Sequence, residues 1–202
     1  MLFYDSPDPA PNPRRVRLFA HAKGIALPTE PVSITKGEHK GAAFLKINPL
    51  GQTPALALDD GRVLTESVAI CRYLDALHPG PPMFGTTPEE IGFVDQYIRR
   101  VELRLMVPVS MVWAHTHPYT ARVVVPQYKD FGESQRGRAE AAMREFDGGL
   151  QGGGWLAGTD ALSMADIALL TTVDFVTFIG LPVPGELTAL TEWHARTTAA
   201  LA

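Results

Sequence analysis

The chain has 202 residues, with 18 basic against 22 acidic side chains and a formal net charge of −4. Its 46% hydrophobic and 20% charged residues supply a packed core without disulfide or metal staples, and the mild acidity excludes a dedicated nucleic-acid binder. The single cysteine, Cys71, excludes an internal disulfide and a cysteine-rich zinc site. Residues 1–5 lack the basic segment and long apolar stretch of a secretory leader. The longest run free of Asp, Glu, Lys and Arg spans residues 105–121, but Pro108, Pro118, His115 and His117 make it a poor membrane span. A soluble, cytoplasmic protein that binds neither nucleic acid nor membrane is expected.

In chain order, residues 2–4 (LFY) read as a first strand, and SPDPAPNP, with prolines at 7, 9, 11 and 13, as a loop. Val16 with Phe19 and Leu18 with Ala22 keep helical spacing from Arg14 to a C-terminal Gly24, with Pro13 at the helix start. Residues 28–34 read as a second strand, KGEHKG as a polar loop, and AAFLKI as one or two helical turns broken by NPLGQTP. The order ALAL, DDG, RVL predicts a hairpin turning at Asp60-Gly61. Ile70, Tyr73, Leu74 and Leu77 then share one face of a helix.

The stretch HPGPPMFGTTP, residues 78–88, is the linker, so the reading places one domain at 1–79, the linker at 80–87 and a helical domain at 88–202. Residues 89–106 and 134–146 are predicted helices, with Pro108 expected to kink or end the first. Residues 148–158 (GGLQGGGWLAG) read as a flexible connector without the lysine of a phosphate loop. Ser163, with Asp166 three residues on, forms an acidic relative of the capping box ahead of an enclosed apolar helix. A last helix after Pro184-Gly185 carries Trp193.

The segment EHKGAAFLKINPLGQTPALALDDGRVLTESVAICRYLDALHP, residues 38–79, resembles the N-terminal domain of the cytosolic glutathione transferases, and ALSMADIALL is similar to their helical-domain capping motif. The resemblance implies an α/β thioredoxin-like N-terminal domain followed by an all-α C-terminal domain. It implies glutathione as co-substrate, a small-molecule electrophile lying between the two domains, and a homodimer; no metal is expected, because His115 and His117 point about 200° apart on a helix and no third ligand is close in sequence. Pro54 is cis in that family, which turns the Thr53 backbone outward to pair with an extended peptide. Gln52 precedes this pair in the same QTP motif. Ser67, at a helix start, suits the α-carboxylate of the γ-glutamyl group, and Glu66 its ammonium. His39 is the candidate for the glycyl carboxylate, with Lys36 and Lys40 as alternatives. Arg14, Arg15 and Arg17 add positive potential or form a solvated helix face.

Glutathione transferases lower the pKa of the thiol with a donor, because the thiolate is the nucleophile. In APNPRRVR the usual serine position holds Ala10. Three nearby replacements are open: the amide of Asn12, the hydroxyl of Ser6, and Tyr4 within the strand. PVSMVWAHTHP and KGEHK resemble an atypical fungal and bacterial lineage lacking the usual Tyr, Ser and Cys, in which a histidine and a serine position a water near the sulfur. His115 and Ser110 are the candidates here, with a neutral imidazole suited to such a water. Val107, Met111 and Trp113 are either walls of the electrophile pocket or core. Cys71 reads as an inert helix residue. The expected function is thiol activation for attack on an electrophilic apolar co-substrate; the alternative is a non-catalytic glutathione- or protein-binding relative.

Overall fold

The computed structural model describes residues 1–78 and 80–202; Pro79, at which the sequence reading ends the first domain, lies outside them. The chain divides into two compact units, residues 1–84 with Leu201 and residues 85–200 with Ala202.

The first unit contains β1 (Leu2–Asp5), α1 (Pro11–Ala22), β2 (Thr29–Pro31), α2 (Ala42–Leu45), β3 (Ala55–Ala57), β4 (Val63–Thr65) and α3 (Ser67–Leu77). The strands form one sheet in the order β2-β1-β3-β4, with β2 parallel to β1 and the other pairs antiparallel. This β1–α1–β2 crossover followed by a hairpin and α3 is the thioredoxin-like order. Side chains alternate across the sheet. Phe3 and Leu56 are fully buried together with Val16, Phe19, Ile70 and Leu74 of α1 and α3, and α1 packs on α3. Tyr4 instead joins Val32, Phe44 and Ala55 on the α2 side, its ring edge-on to Phe44 at 5.9 Å.

Several local expectations need correction. The first helix begins at Pro11, not Arg14, so Asn12 and Pro13 stand inside its first turn, where missing or unpaired N–H groups cost nothing. Its buried stripe is Val16, Phe19 and Ala20, with Arg15 also buried, while Ala22 is exposed. The hairpin turns at Asp59-Asp60, because Gly61 N–H bonds to Leu58 C=O at 3.1 Å and Gly61 takes φ +86°, a turn closed by a left-handed glycine. On α3 the buried positions are Ser67, Ile70, Cys71 and Leu74; Leu77, assigned to that face by its spacing, is 47% exposed.

The second unit is helical: α4 (Pro88–Arg100), a π-helical stretch (Val101–Met106), α5 (Val107–Thr116), α6 (Lys129–Leu150), α7 (Met164–Phe178) and α8 (Thr188–Ala200). Pro108 does not end the long first helix. Proline cannot bond the carbonyl four residues back and collides with it, and the widened π turn just before it accommodates that mismatch. Helix α6 runs beyond its predicted ends and includes Gly148 and Gly149, so the connector begins at Gln151. Asp166, fully buried, anchors this unit. Its Oδ2 accepts from the Ser163 N–H (3.0 Å) and hydroxyl (2.8 Å), and its Oδ1 from the Leu156 N–H (2.8 Å) and Trp193 indole N–H (2.9 Å). Among the described residues no helix is long and apolar enough to cross a membrane.

Candidate active site

The sheet register gathers the candidates of the first unit at one end. Tyr4 pairs with Ala55 and Ala55 with Thr65. Thr53 and Pro54 immediately precede β3, and Glu66 and Ser67 immediately follow β4, at the end of the sheet where β1 runs on into Ser6. Asp5 pairs with Pro31 in the parallel ladder, so the segment after β2, which carries His39, leaves the sheet at the same end. The start of α1 follows the short loop after β1. Ser6, Asn12, His39, Gln52, Thr53, Pro54, Glu66 and Ser67 thus come from five chain segments toward one end of the sheet.

The Thr53–Pro54 peptide is cis, and Thr53 stands outside the pairing that begins at Ala55. Its Oγ1 is buried without a hydrogen-bond partner. Gln52 is exposed, and its C=O accepts from the Asn48 amide at 2.7 Å. Glu66 has φ +66° and ψ +116°, and among the described residues it is the non-glycine with positive φ. Such a conformation costs about 1–3 kcal/mol and persists only where the surroundings impose it. Glu66 is exposed and stands before α3, where Ser67 is buried. Glu66 is the N-cap of α3 and its side chain makes no capping bond, leaving the first N–H groups of α3 for a ligand at the positive helix end.

His39 is half-buried, and its Nδ1 is buried without a partner. Burial and then the Lys40 charge hold its pKa below the ordinary histidine value, opposed by Ser33 and the Asp8 carboxylate. The imidazole therefore favours its neutral form. Lys36 is exposed, and Lys40 donates to the Leu50 C=O at 3.0 Å.

At the β1–α1 turn the three arginines do not form a solvated face. Arg15 is buried, and Arg17 bonds the Asp5 carboxylate (2.5 Å) and the Ser6 C=O (2.9 Å). The Ser6 hydroxyl is buried and bonds Asp8 at 3.2 Å. Asn12, half-buried at the second position of α1, has an amide that makes no hydrogen bond among the described residues. Tyr4 packs on Phe44. Cys71 is fully buried, and burial pushes its thiol pKa far up.

In the helical unit, His115 and Ser110 both lie on α5. Five residues subtend about 140° around the axis, so they do not share a face. His115 Nδ1 accepts the Tyr128 N–H at 3.3 Å, and its ring meets Phe131 edge-on at 5.5 Å, which leaves Nε2 as its unengaged nitrogen. Trp113 stacks near His117 at 4.2 Å and meets Phe175 at 5.6 Å. Val107 is exposed, and Met111 is half-buried. Among the described residues no group of three His, Cys, Asp or Glu side chains converges as a metal site.

Sequence reasoning missed Asp8, read only as part of a proline-rich loop; the signal was an Asp two residues after a Ser in a turn-rich segment. It also missed the unusual backbone of Glu66, which no side-chain pattern encodes.

Two family models match this chain: glutathione S-transferase, N-terminal domain, over residues 10–77, and glutathione S-transferase, C-terminal domain, over residues 98–196. The chain is 39% identical over 199 residues to glutathione S-transferase 2 of Saccharomyces cerevisiae, covering 97% of this chain and 84% of that protein. Among solved structures, a glutathione S-transferase domain-containing protein from Marinobacter aquaeolei superposes with a TM-score of 0.93 at 32% identity, covering both chains fully. Gtt2 from Saccharomyces cerevisiae superposes with a TM-score of 0.91 at 36% identity, again over all of both chains.

Proposed function

The chain belongs to the glutathione S-transferase family, and on that premise we propose that it is a glutathione transferase that ionises the glutathione thiol for attack on an electrophilic apolar co-substrate. The observation that carries this reading is the cluster at one end of the sheet: Thr53 beside cis Pro54 and outside the strand pairing, Glu66 in its costly conformation just past β4, and Ser67 at the start of α3. An extended peptide bonds Thr53 as an added strand. Its γ-glutamyl carboxylate takes the Ser67 hydroxyl and the N–H groups of α3, and its ammonium faces Glu66. Gln52 flanks that strand. The glycyl carboxylate goes to His39, whose buried Nδ1 lacks a partner.

For the thiol, Asn12 is favoured over Ser6, because the Ser6 hydroxyl is committed to Asp8 while the Asn12 amide is free to donate at the positive end of α1. The atypical route, a water held by His115 or Ser110, remains the rival. A non-catalytic binding role is not favoured, since curated relatives carry glutathione S-transferase names. Detoxification, a cytoplasmic location and a homodimer belong to the same proposal.

The test is ultraviolet titration of glutathione bound to the purified protein, following thiolate absorbance with pH. A bound thiol that ionises well below the free value of about 8.5 supports the reading, and Asn12→Ala then moves the curve back up. Bound glutathione with an unshifted thiol refutes activation. An unmoved curve in the Asn12 variant transfers the role to His115.

A further inference from the structure

The proline-rich loop after β1 contains a carboxylate that joins two segments. Asp8 Oδ2 accepts the backbone N–H of Ile34 (2.6 Å) and Thr35 (3.1 Å) and the hydroxyls of Ser6 and Ser33 (both 3.2 Å), while Oδ1 accepts the Thr35 hydroxyl at 2.8 Å. The strand-type pairing ends just before, at Val32 N–H to Asp5 C=O (2.7 Å). Past that bond, Asp8 takes over the link between the β1–α1 loop and the segment leading to His39. The far side of the segment is held locally: the Glu38 carboxylate accepts the Ser33 N–H at 2.7 Å, and Ser33 Oγ accepts the Lys36 N–H at 3.2 Å. Burial opposes ionisation of Asp8, but the donors from Thr35, Ile34 and Ser6 together hold its pKa below the ordinary carboxylate range. The charge also reaches His39, whose protonated form it favours.

We propose that Asp8 is a positioning residue for glutathione, holding residues 33–35 against the β1–α1 loop and so setting where His39 stands relative to Thr53, Glu66 and Ser67. It does this without touching the tripeptide. The inference rests on the proposed function of the same site. Only an ionised carboxylate serves here. An amide at position 8 offers a single acceptor oxygen and turns its own N–H groups toward donors.

The experiment compares the unsubstituted chain with Asp8→Asn by calorimetric titration with glutathione, steady-state kinetics and NMR titration of the His39 ring. Asp8→Asn is expected to raise the glutathione Kd and KM roughly tenfold, a change of the size of one lost charged hydrogen bond, with kcat and the KM for the electrophile within about twofold. The His39 pKa falls further than in the unsubstituted chain. Thr35→Val, which removes the Oδ1 donor together with the hydroxyl's bond to Ser33 Oγ (2.9 Å) and leaves both backbone donors to Asp8 in place, shifts the glutathione KM the same way by less, and it decides the matter if Asp8→Asn does not fold. Unchanged glutathione affinity in a folded variant, or kcat falling in step with affinity, overturns the inference alone. An unsubstituted chain that does not bind glutathione overturns the proposed function and the inference with it.

Discussion

Asp166→Ala probes the buried carboxylate that ties α7 to the preceding connector and to α8. The carboxylate is fully buried and accepts four hydrogen bonds, from Ser163 twice, Leu156 and Trp193. Bonds to a charged group are worth about 1.5–3 kcal/mol each, roughly 6–12 kcal/mol in all. Keeping the carboxylate out of water costs several kcal/mol, so the net loss expected for Asp166→Ala is about 3–5 kcal/mol. Its donors, two of them backbone N–H groups, are left without an acceptor in a dry site. For a chain of this length each kcal/mol moves Tm by about 2–4 °C, so a fall of roughly 6–20 °C is expected in scanning calorimetry. Asp166→Asn keeps the volume and one acceptor but faces two donors with its own N–H groups, and falls between. A loss below about 1 kcal/mol in Asp166→Ala refutes the reasoning, because water or relaxed neighbours would then satisfy those donors.

Two glycines of α6 give opposite expectations. A Cβ on Gly132 would lie 2.6 Å from Thr116 Cγ2 and 2.9 Å from His115 Cβ, so Gly132→Ala lowers stability by about 1–3 kcal/mol. Gly148 meets nothing within 4 Å, and Gly148→Ala raises stability by about 0.5–1 kcal/mol; urea midpoints check both, and the same sign in the two variants contradicts the packing argument. Ser67→Ala and Glu66→Gln each raise the glutathione Kd roughly tenfold with little change in Tm, and calorimetric titration showing parental affinity removes them from the site. The depressed Asp8 pKa means that its contribution to stability is complete above the unfolded value near 3.9 and is lost as pH falls through the lower folded value. Asp8→Asn is therefore less stable at neutral pH and loses less between pH 4 and the acid limit; an acid limb of unchanged steepness refutes the assignment.

The sequence alone carried what is local. The spacing of Val16 with Phe19 and of Ile70 with Leu74, the breaks at proline and glycine, and the Ser163–Asp166 cap each depend on residues a few positions apart, so the order of elements was legible. So was the likeness of residues 38–79 to the glutathione transferases. What the chain could not display was anything that depends on register or on distant partners. Periodicity put Leu77 on the inner face of α3, yet whether the last turn of a helix is covered depends on what lies beside it, and Leu77 is exposed. Thr53, Glu66 and Ser67 come to one end of the sheet because the β3–β4 register sets Ala55 opposite Thr65, a pairing between distant residues that no local pattern displays. Asp8 reaches Ile34 and Thr35, and Asp166 reaches Leu156 and Trp193. Such bonds span ten to 27 residues, so only the folded chain selects the partners of each carboxylate, since every one of its donors must be brought within hydrogen-bonding distance at once.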